Sequence, residues 1–221
     1  PVVLTVLAAR SGADVLHAAS GTLPAVRTVP TVASVFDMAW LRVQSHTRPY
    51  ARAYFGALMK RLYRGADAIV VPSAFSRDEF LALAGERDEV HVVTPGVDER
   101  FALLERRPRE RPFALVVGTV ERRKKMLCAI EALAAVPDLE LISVGPPTPY
   151  ADEVRARVRE LVISERVRLR GYVDRAELDA LYAAAALALV PSRYEGFGYA
   201  LTEASCAGVP VVGAPSSSLV E

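Results

Sequence analysis

Lysine, cysteine, histidine and tryptophan are scarce in this chain of 221 residues, and each scarcity narrows what the chain can be. The 2 cysteines, Cys128 and Cys206, stand far apart without a C-x-x-C spacing, which argues against a disulfide framework or a thiolate metal site. Both fall in stretches expected to be helical, so the expectation is two reduced, buried thiols in a cytoplasmic protein. The 3 histidines, His17, His46 and His91, lack partners at metal-ligand spacing, and no metal centre is expected. His46 and His91 read as structural or surface residues, and His17 as either a pocket residue at a strand end or a partly buried neutral histidine. Lysine occurs only at Lys60, Lys124 and Lys125, every other base being arginine, a bias that base composition of the coding DNA would produce. No segment reaches the roughly 20 apolar residues that span a bilayer. Residues 1–10 are apolar but lack a basic start and a cleavage site, which argues against a secretory signal. No G-x-G-x-x-G follows any candidate strand, which disfavours a dinucleotide-binding dehydrogenase.

With 27 basic and 26 acidic residues the formal net charge is +1, so nothing draws the chain generally to nucleic acid, and no polynucleotide-binding signature is present. At 52% hydrophobic residues it can bury a substantial core. Short apolar runs alternate with amphipathic stretches, the pattern of α/β units around parallel sheets. Strands are expected at 14–18, 31–36, 68–71, 90–93, 113–117, 139–144, 167–170, 186–190 and 209–212. Helices are expected at 50–64, 74–84, 126–135, 150–163, 175–184 and 198–207, with Ser73 and Asp174 as N-caps. The charged, proline-marked stretch 98–112 reads as a solvated linker. It divides the chain near 108 into a first half, 1–108, and a second, 109–221.

The densest pattern is Tyr194-Glu195-Gly196-Phe197-Gly198-Tyr199-Ala200-Leu201-Thr202-Glu203-Ala204. It sets two carboxylates eight residues apart around a glycine-rich turn that follows a buried strand and opens a helix. Gly196 and Gly198 let backbone approach a ligand, and the free N–H groups of a helix start favour anions. A sugar nucleotide suits that outline, whereas either glutamate alone would be explained by the helix dipole or by solvent. Beyond strand 113–117, Arg122, Arg123, Lys124 and Lys125 crowd a helix start, where positive charge opposes the dipole and a bound anion would resolve the conflict.

Together with Ala207-Gly208-Val209-Pro210-Val211-Val212-Gly213, the Glu195–Glu203 pattern resembles the signature of retaining glycosyltransferases of the GT-B fold, family 4. Gly12 to His17 is similar to the family's G-x-D-V-x-H, Ala66 to Ser76 to its A-D-x-V-x-x-x-S-x-x-S, and Val93 to Asp98 to its V-x-P-N-G-V-D. The resemblance implies two Rossmann-like domains with parallel sheets facing across a cleft, both incomplete. Residues 1–108 would be the partial acceptor-side domain and 109–221 the partial donor domain. It also implies truncation at both ends, with the first residues a helix from the middle of the first domain.

For chemistry, the resemblance implies transfer of a hexose, mannose or glucose, from a nucleoside-diphosphate sugar to a glycan or lipid-linked acceptor, with no cofactor and no metal. Gly118-Thr119-Val120-Glu121-Arg122-Arg123-Lys124-Lys125 looks like the family's G-T-x-E-x-R-K-N, which places Arg123 and Lys124 on the diphosphate and leaves Lys125 where Asn is common. Fixed cations at the leaving oxygen act as an electrophilic clamp. Glu203 would accept the ribose hydroxyls, while Glu195 and the N–H groups of Gly196, Phe197 and Gly198 would face the donor sugar and phosphate. Gly118, Thr119, Tyr199, Ala200 and Leu201 complete the expected donor site.

One departure is Ser34-Val35-Phe36-Asp37-Met38, where relatives often read T-x-H-D-L. Phe36 cannot hydrogen-bond a sugar, though its ring can stack on one; Asp37 would contact the acceptor or cap the following turn. Trp40 and Tyr50 offer an acceptor platform or ordinary packing. The stretch 50–64, with Arg52, Lys60, Arg61 and Arg64 beside Tyr54, Phe55, Leu58, Met59 and Leu62, would either pack inward or rest peripherally on an anionic membrane. A binding module that retains nucleotide recognition without transfer is the alternative reading.

Overall fold

The structure, a computed structural model, describes residues 2–39 and 49–221. Trp40 and His46 lie outside the described residues, as do the side chains of Tyr50, Arg52, Tyr54 and Phe55. The chain divides into two compact units: Pro1–Pro95 with Glu195–Phe197 and Val220–Glu221, and Gly96–Tyr194 with Gly198–Leu219.

The first unit runs α1 (Val2–Arg10), β1 (Leu16–Ala18), β2 (Thr31–Ser34), α2 (Pro49–Gly65), β3 (Ala68–Val71), α3 (Ala74–Ala84) and β4 (Val90–Val92). Its four strands pair in parallel in the order β1-β2-β3-β4, with Ala18 opposite Ala33 and Ile69 opposite Val90. Ala33, Val35, Ile69 and Val71 meet Tyr63 of α2 and Phe80 and Ala84 of α3 in one core, with Met59 and Leu62 packed against it. That stripe of α2 therefore faces protein. Ser73 caps α3 as expected, accepting from the Ser76 N–H at 3.0 Å.

The second unit contains β5 (Phe113–Val117), α4 (Met126–Ala134), β6 (Glu140–Val144), α5 (Tyr150–Glu160), β7 (Val167–Leu169), α6 (Arg175–Ala184), β8 (Leu187–Val190), α7 (Tyr199–Cys206) and β9 (Val211–Gly213). The parallel sheet has the order β7-β6-β5-β8-β9, so β5 is central and the chain winds outward to both edges. Alternation along β5 and β6 serves two cores. Phe113, Leu115, Ile142 and Val144 join Leu181, Tyr182 and Ala204 from α6 and α7, whereas Val116 and Leu141 join Met126, Ile130, Tyr150 and Val154 from α4 and α5. Burial on both faces explains why these strands read as continuous apolar runs. Asp174 caps α6 through the Glu177 N–H at 2.8 Å, also as expected.

The stretch 98–112, charged as it is, carries Phe101 into the second core, where its ring meets Tyr182 edge-on at 5.3 Å. Arg106 then closes the end of α6, donating through Nη1 to the Tyr182 carbonyl and through Nη2 to the Ala185 carbonyl, each at 2.6 Å. Cations at helix carboxyl ends are favourable, and the guanidinium fork suits two carbonyls at once. Near the end of α4 Arg166 reaches the carbonyls of Leu133 and Val136 through Nη1 alone. Arg106 thus has structural work that lysine could not do.

Several elements are shorter than expected, β1 and β2 among them, and at two the backbone shows the cause. The strand expected at 209–212 is β9, because the Val209 N–H is used to close α7 onto the Ala204 carbonyl and Pro210 has no N–H. The helix expected to reach 163 stops at Glu160, because Val162 is left-handed at φ 55 and the Ile163 N–H bonds back to the Val158 carbonyl at 3.2 Å. A β-branched residue in that conformation is strained, and Val162 is 88% exposed, so its side chain gains little in return. Val162→Gly is expected to stabilise the protein by about 1 kcal/mol in urea unfolding; no gain would mean that the left-handed closure is not what ends α5.

Candidate functional site

Polar chemistry in the second unit gathers where β5 and β6 end. Gly118 follows β5 at φ 132 and Gly145 follows β6 at φ 144, both beyond the reach of ordinary L residues. A Cβ on Gly145 would lie 2.1 Å from the Gly118 carbonyl oxygen, so the two loops meet backbone to backbone. The Gly118 N–H bonds to the Val144 carbonyl at 2.8 Å and the Gly145 N–H to the Gly171 carbonyl at 2.7 Å, which ties three successive strand ends together.

From that ledge the basic loop rises. Arg122–Lys124 forms a short 3-10 turn and Lys125 is left-handed at φ 47, so the four cations precede α4 rather than occupy its first turn. A lysine in this conformation is unusual, since among non-glycine residues Asn and Asp adopt it most readily. Arg122 turns away to pair with Glu153 and lies over the Tyr150 ring. Arg123 pairs through Nε with Glu121 at 2.7 Å and donates through Nη1 to the Tyr194 carbonyl at 2.9 Å. The Lys124 side chain curls back over Gly118, its Nζ 3.3 Å from where a Cβ would be. Thr119 is half-buried beside this ledge.

Gly198 opens α7 in the left-handed region at φ 95, and its own Cβ would collide with Leu219 at 2.7 Å. Tyr199 is exposed, with Ala200 and Leu201 half-buried behind it. Glu203, just over one turn into α7, is half-buried and accepts from the Tyr182 hydroxyl of α6 at 2.9 Å. Burial pushes its carboxyl above the ordinary range and Asp179 adds to this, whereas the Tyr182 bond and Arg100 oppose it. Burial, reinforced by Glu203, raises the Tyr182 phenol well above its usual value, so it stays a protonated donor. Arg100 in turn is held by Asp179 at 3.1 Å and Asp98 at 2.7 Å.

The remaining expected residues belong to the first unit. Glu195 is buried, and the Gly196 carbonyl accepts from Ser73 Oγ at 2.6 Å and Ser76 Oγ at 2.9 Å. A Cβ on Gly196 would fall 1.9 Å from the Phe36 carbonyl oxygen, which leaves no residue but glycine for that place. Phe197 is half-buried. Asp37 caps the following turn, accepting from the Ala39 N–H at 3.0 Å, and Phe36 is half exposed. His17 is exposed and bonded to Ser34 at 2.9 Å, not partly buried; His91 is exposed beside Glu89.

The expectation of buried thiols fails: Cys128 and Cys206 are both exposed. Helix α4 buries Met126, Ala129, Ile130 and Leu133, and α7 buries Ala204, so both cysteines fall off the inward faces. Among the described residues no cluster of His, Cys, Asp or Glu could hold a metal ion, and no helix is long and apolar enough to cross a membrane. Gly145, Tyr182 and the Glu121–Arg123 pair were not singled out by sequence. A glycine ahead of Pro146-Pro147 at a strand end was the available signal for the first; Tyr182 had none.

Two parallel α/β units with their polar loops at the strand carboxyl ends define a GT-B glycosyltransferase fold. Residues 101–221 match the family Glycosyl transferases group 1, residues 2–101 match Glycosyltransferase Family 4, and the chain belongs to the first of these families. The MMP alpha-(1->4)-mannosyltransferase of Mycolicibacterium hassiacum is 32% identical over 79% of this chain and 44% of its own length. Sucrose-phosphate synthase from Thermosynechococcus elongatus shares the fold with a TM-score of 0.80 at 21% identity, covering 98% of this chain and 59% of that one. Anabaena HepE, solved with UDP and glucose, does so with a TM-score of 0.73 at 22% identity, covering 87% and 54%. The chain therefore spans about half the length of these relatives.

Gly145→Ala is expected to destabilise the second unit by more than about 2 kcal/mol, since backbone rather than a flexible side chain would have to move. Thermal unfolding checks this; a variant as stable as the parent would contradict the backbone contact.

Proposed function

We propose that this chain carries the donor-binding machinery of a retaining glycosyltransferase that moves a hexose, mannose or glucose, from a nucleoside-diphosphate sugar to a glycan or lipid-linked acceptor. The observation that carries the reading is the glycine ledge of Gly118 and Gly145 with Lys124 folded over it and, next to Lys124 in the same loop, Arg123 braced on the Tyr194 carbonyl. Backbone without side chains admits a diphosphate closely, and two cations on a braced loop stabilise charge on the leaving oxygen. HepE, which shares the fold, was solved with UDP and glucose, which makes uridine diphosphate the first nucleotide to try.

In this reading residues 109–221 form the donor side and 1–108 the acceptor side. Gly118, Thr119, Arg123 and Lys124 hold the diphosphate, with Gly198, Tyr199, Ala200 and Leu201 at the helix start. Glu203 takes the ribose hydroxyls. Glu195, Gly196 and Phe197 face the sugar, and Asp37 serves the acceptor. The leaving phosphate itself accepts the acceptor's proton, so no protein base is required. Because the cations do the clamping, neither metal nor cofactor is needed.

A second reading rests on Phe36, half exposed where relatives often have histidine. Without that hydrogen-bonding group the chain would bind a nucleotide or nucleotide sugar and transfer nothing.

Calorimetric titration with uridine, guanosine and adenosine diphosphates tests the donor site. One of them is expected to bind saturably, unaffected by ethylenediaminetetraacetate, and Glu203→Ala is expected to weaken it by about 1.5 to 3 kcal/mol, the range for hydrogen bonds to a charged group. Unchanged affinity in the variant would remove Glu203 from the site, and loss of binding on chelation would refute the metal-free clamp.

A further inference from the structure

We infer that Tyr182 is a positioning residue for nucleotide recognition: its hydroxyl takes Oε2 of Glu203 and thereby turns Oε1 toward an incoming pair of ribose hydroxyls. The inference rests on the reading of Glu203 as the ribose acceptor.

A glutamate side chain has three rotatable bonds, and on an exposed helix face its carboxylate samples many directions. Here one oxygen is fixed. The Tyr182 hydroxyl reaches Oε2 at 2.9 Å from a different helix, α6, so the carboxylate orientation does not depend on α7 alone. Tyr182 is itself immobile, being fully buried with its ring edge-on to Phe101 at 5.3 Å. Arg106 holds the same residue's backbone, donating to the Tyr182 carbonyl at 2.6 Å. Glu203 is only half-buried, so a ligand can reach the oxygen that Tyr182 does not occupy.

The bond also favours the ionised form that two hydroxyl donors need. The groups facing Glu203 are Tyr182 on α6, Asp179 on α6 and Arg100 on the turn Glu99–Phe101. Burial, with Asp179, pushes its pKa up overall, while Tyr182 and Arg100 hold it back. Without the Tyr182 hydroxyl the upward influences gain, and the carboxylate protonates at higher pH. Nucleotide binding that needs the ionised form then fails at higher pH as well.

Tyr182→Phe removes the donor and keeps the ring. The test compares it with the parent and with Glu203→Gln by titrating uridine, guanosine and adenosine diphosphates and the 2′,3′-dideoxy counterpart of whichever binds. Tyr182→Phe is expected to weaken the ribonucleotide about tenfold, the scale of one hydrogen bond to a charged group. Its affinity for the dideoxy form is expected to stay within about twofold, and the acid limb of ribonucleotide binding to move to higher pH. Equal losses for both nucleotides, or no loss, would overturn the positioning role. If Glu203→Gln loses ribose discrimination and Tyr182→Phe does not, this inference alone fails. If neither variant loses it, or no nucleotide binds the folded chain, the assignment of Glu203 fails and this inference with it.

Discussion

Gly145 lies against the Gly118 carbonyl at the carboxyl ends of β6 and β5, and the second unit is organised around that approach. Both strands are buried on their two faces by α4, α5, α6 and α7, so no polar group can leave the sheet sideways at low cost. The strand ends are where such groups collect. Because neither glycine has a Cβ, the loop after β5 can descend onto the loop after β6, with the Lys124 side chain lying over Gly118. A phosphate is recognised well by that combination of close backbone and fixed positive charge.

Arginine supplies a second organising constraint. Arg106 and Arg166 close helix ends by donating to several carbonyls at once, and Arg123 ties the basic loop to the Tyr194 carbonyl. Arg106 does so through both terminal nitrogens, a use of the planar fork that a point charge could not match. The composition that looked like an imprint of coding DNA is therefore also a structural choice at these positions, and it keeps the loop rigid without demanding a larger core. In Arg123 the structural tie and the proposed grip on phosphate meet in one side chain.

Much of the architecture was legible in the sequence because each signal was local. The strands at 68–71 and 113–117 and the helices at 74–84 and 175–184 lie where periodicity placed them, and Ser73 and Asp174 cap as their residue types imply. What escaped depends on contacts distant in sequence or on backbone conformation. Tyr182 meets Glu203 only because α6 and α7 pack in the same core. The ends of α5 and α7 are set by left-handed residues, Val162 and Gly208, rather than by the hydrophobic pattern. The cysteines were judged by residue type, which says that thiols are usually buried, whereas helix phase turned both outward.

The proposed nucleoside-diphosphate site lies at the carboxyl end of the second sheet. Amide chemical-shift mapping of the chain on titration with uridine diphosphate tests it most directly, since it reports where binding occurs. Perturbations are expected at Gly118, Thr119, Arg123, Lys124, Gly145, Tyr199 and Glu203. Shifts confined to the opposite, amino-terminal edge of the same sheet, at Glu110, Arg111, Asp138 and Glu140, would contradict it.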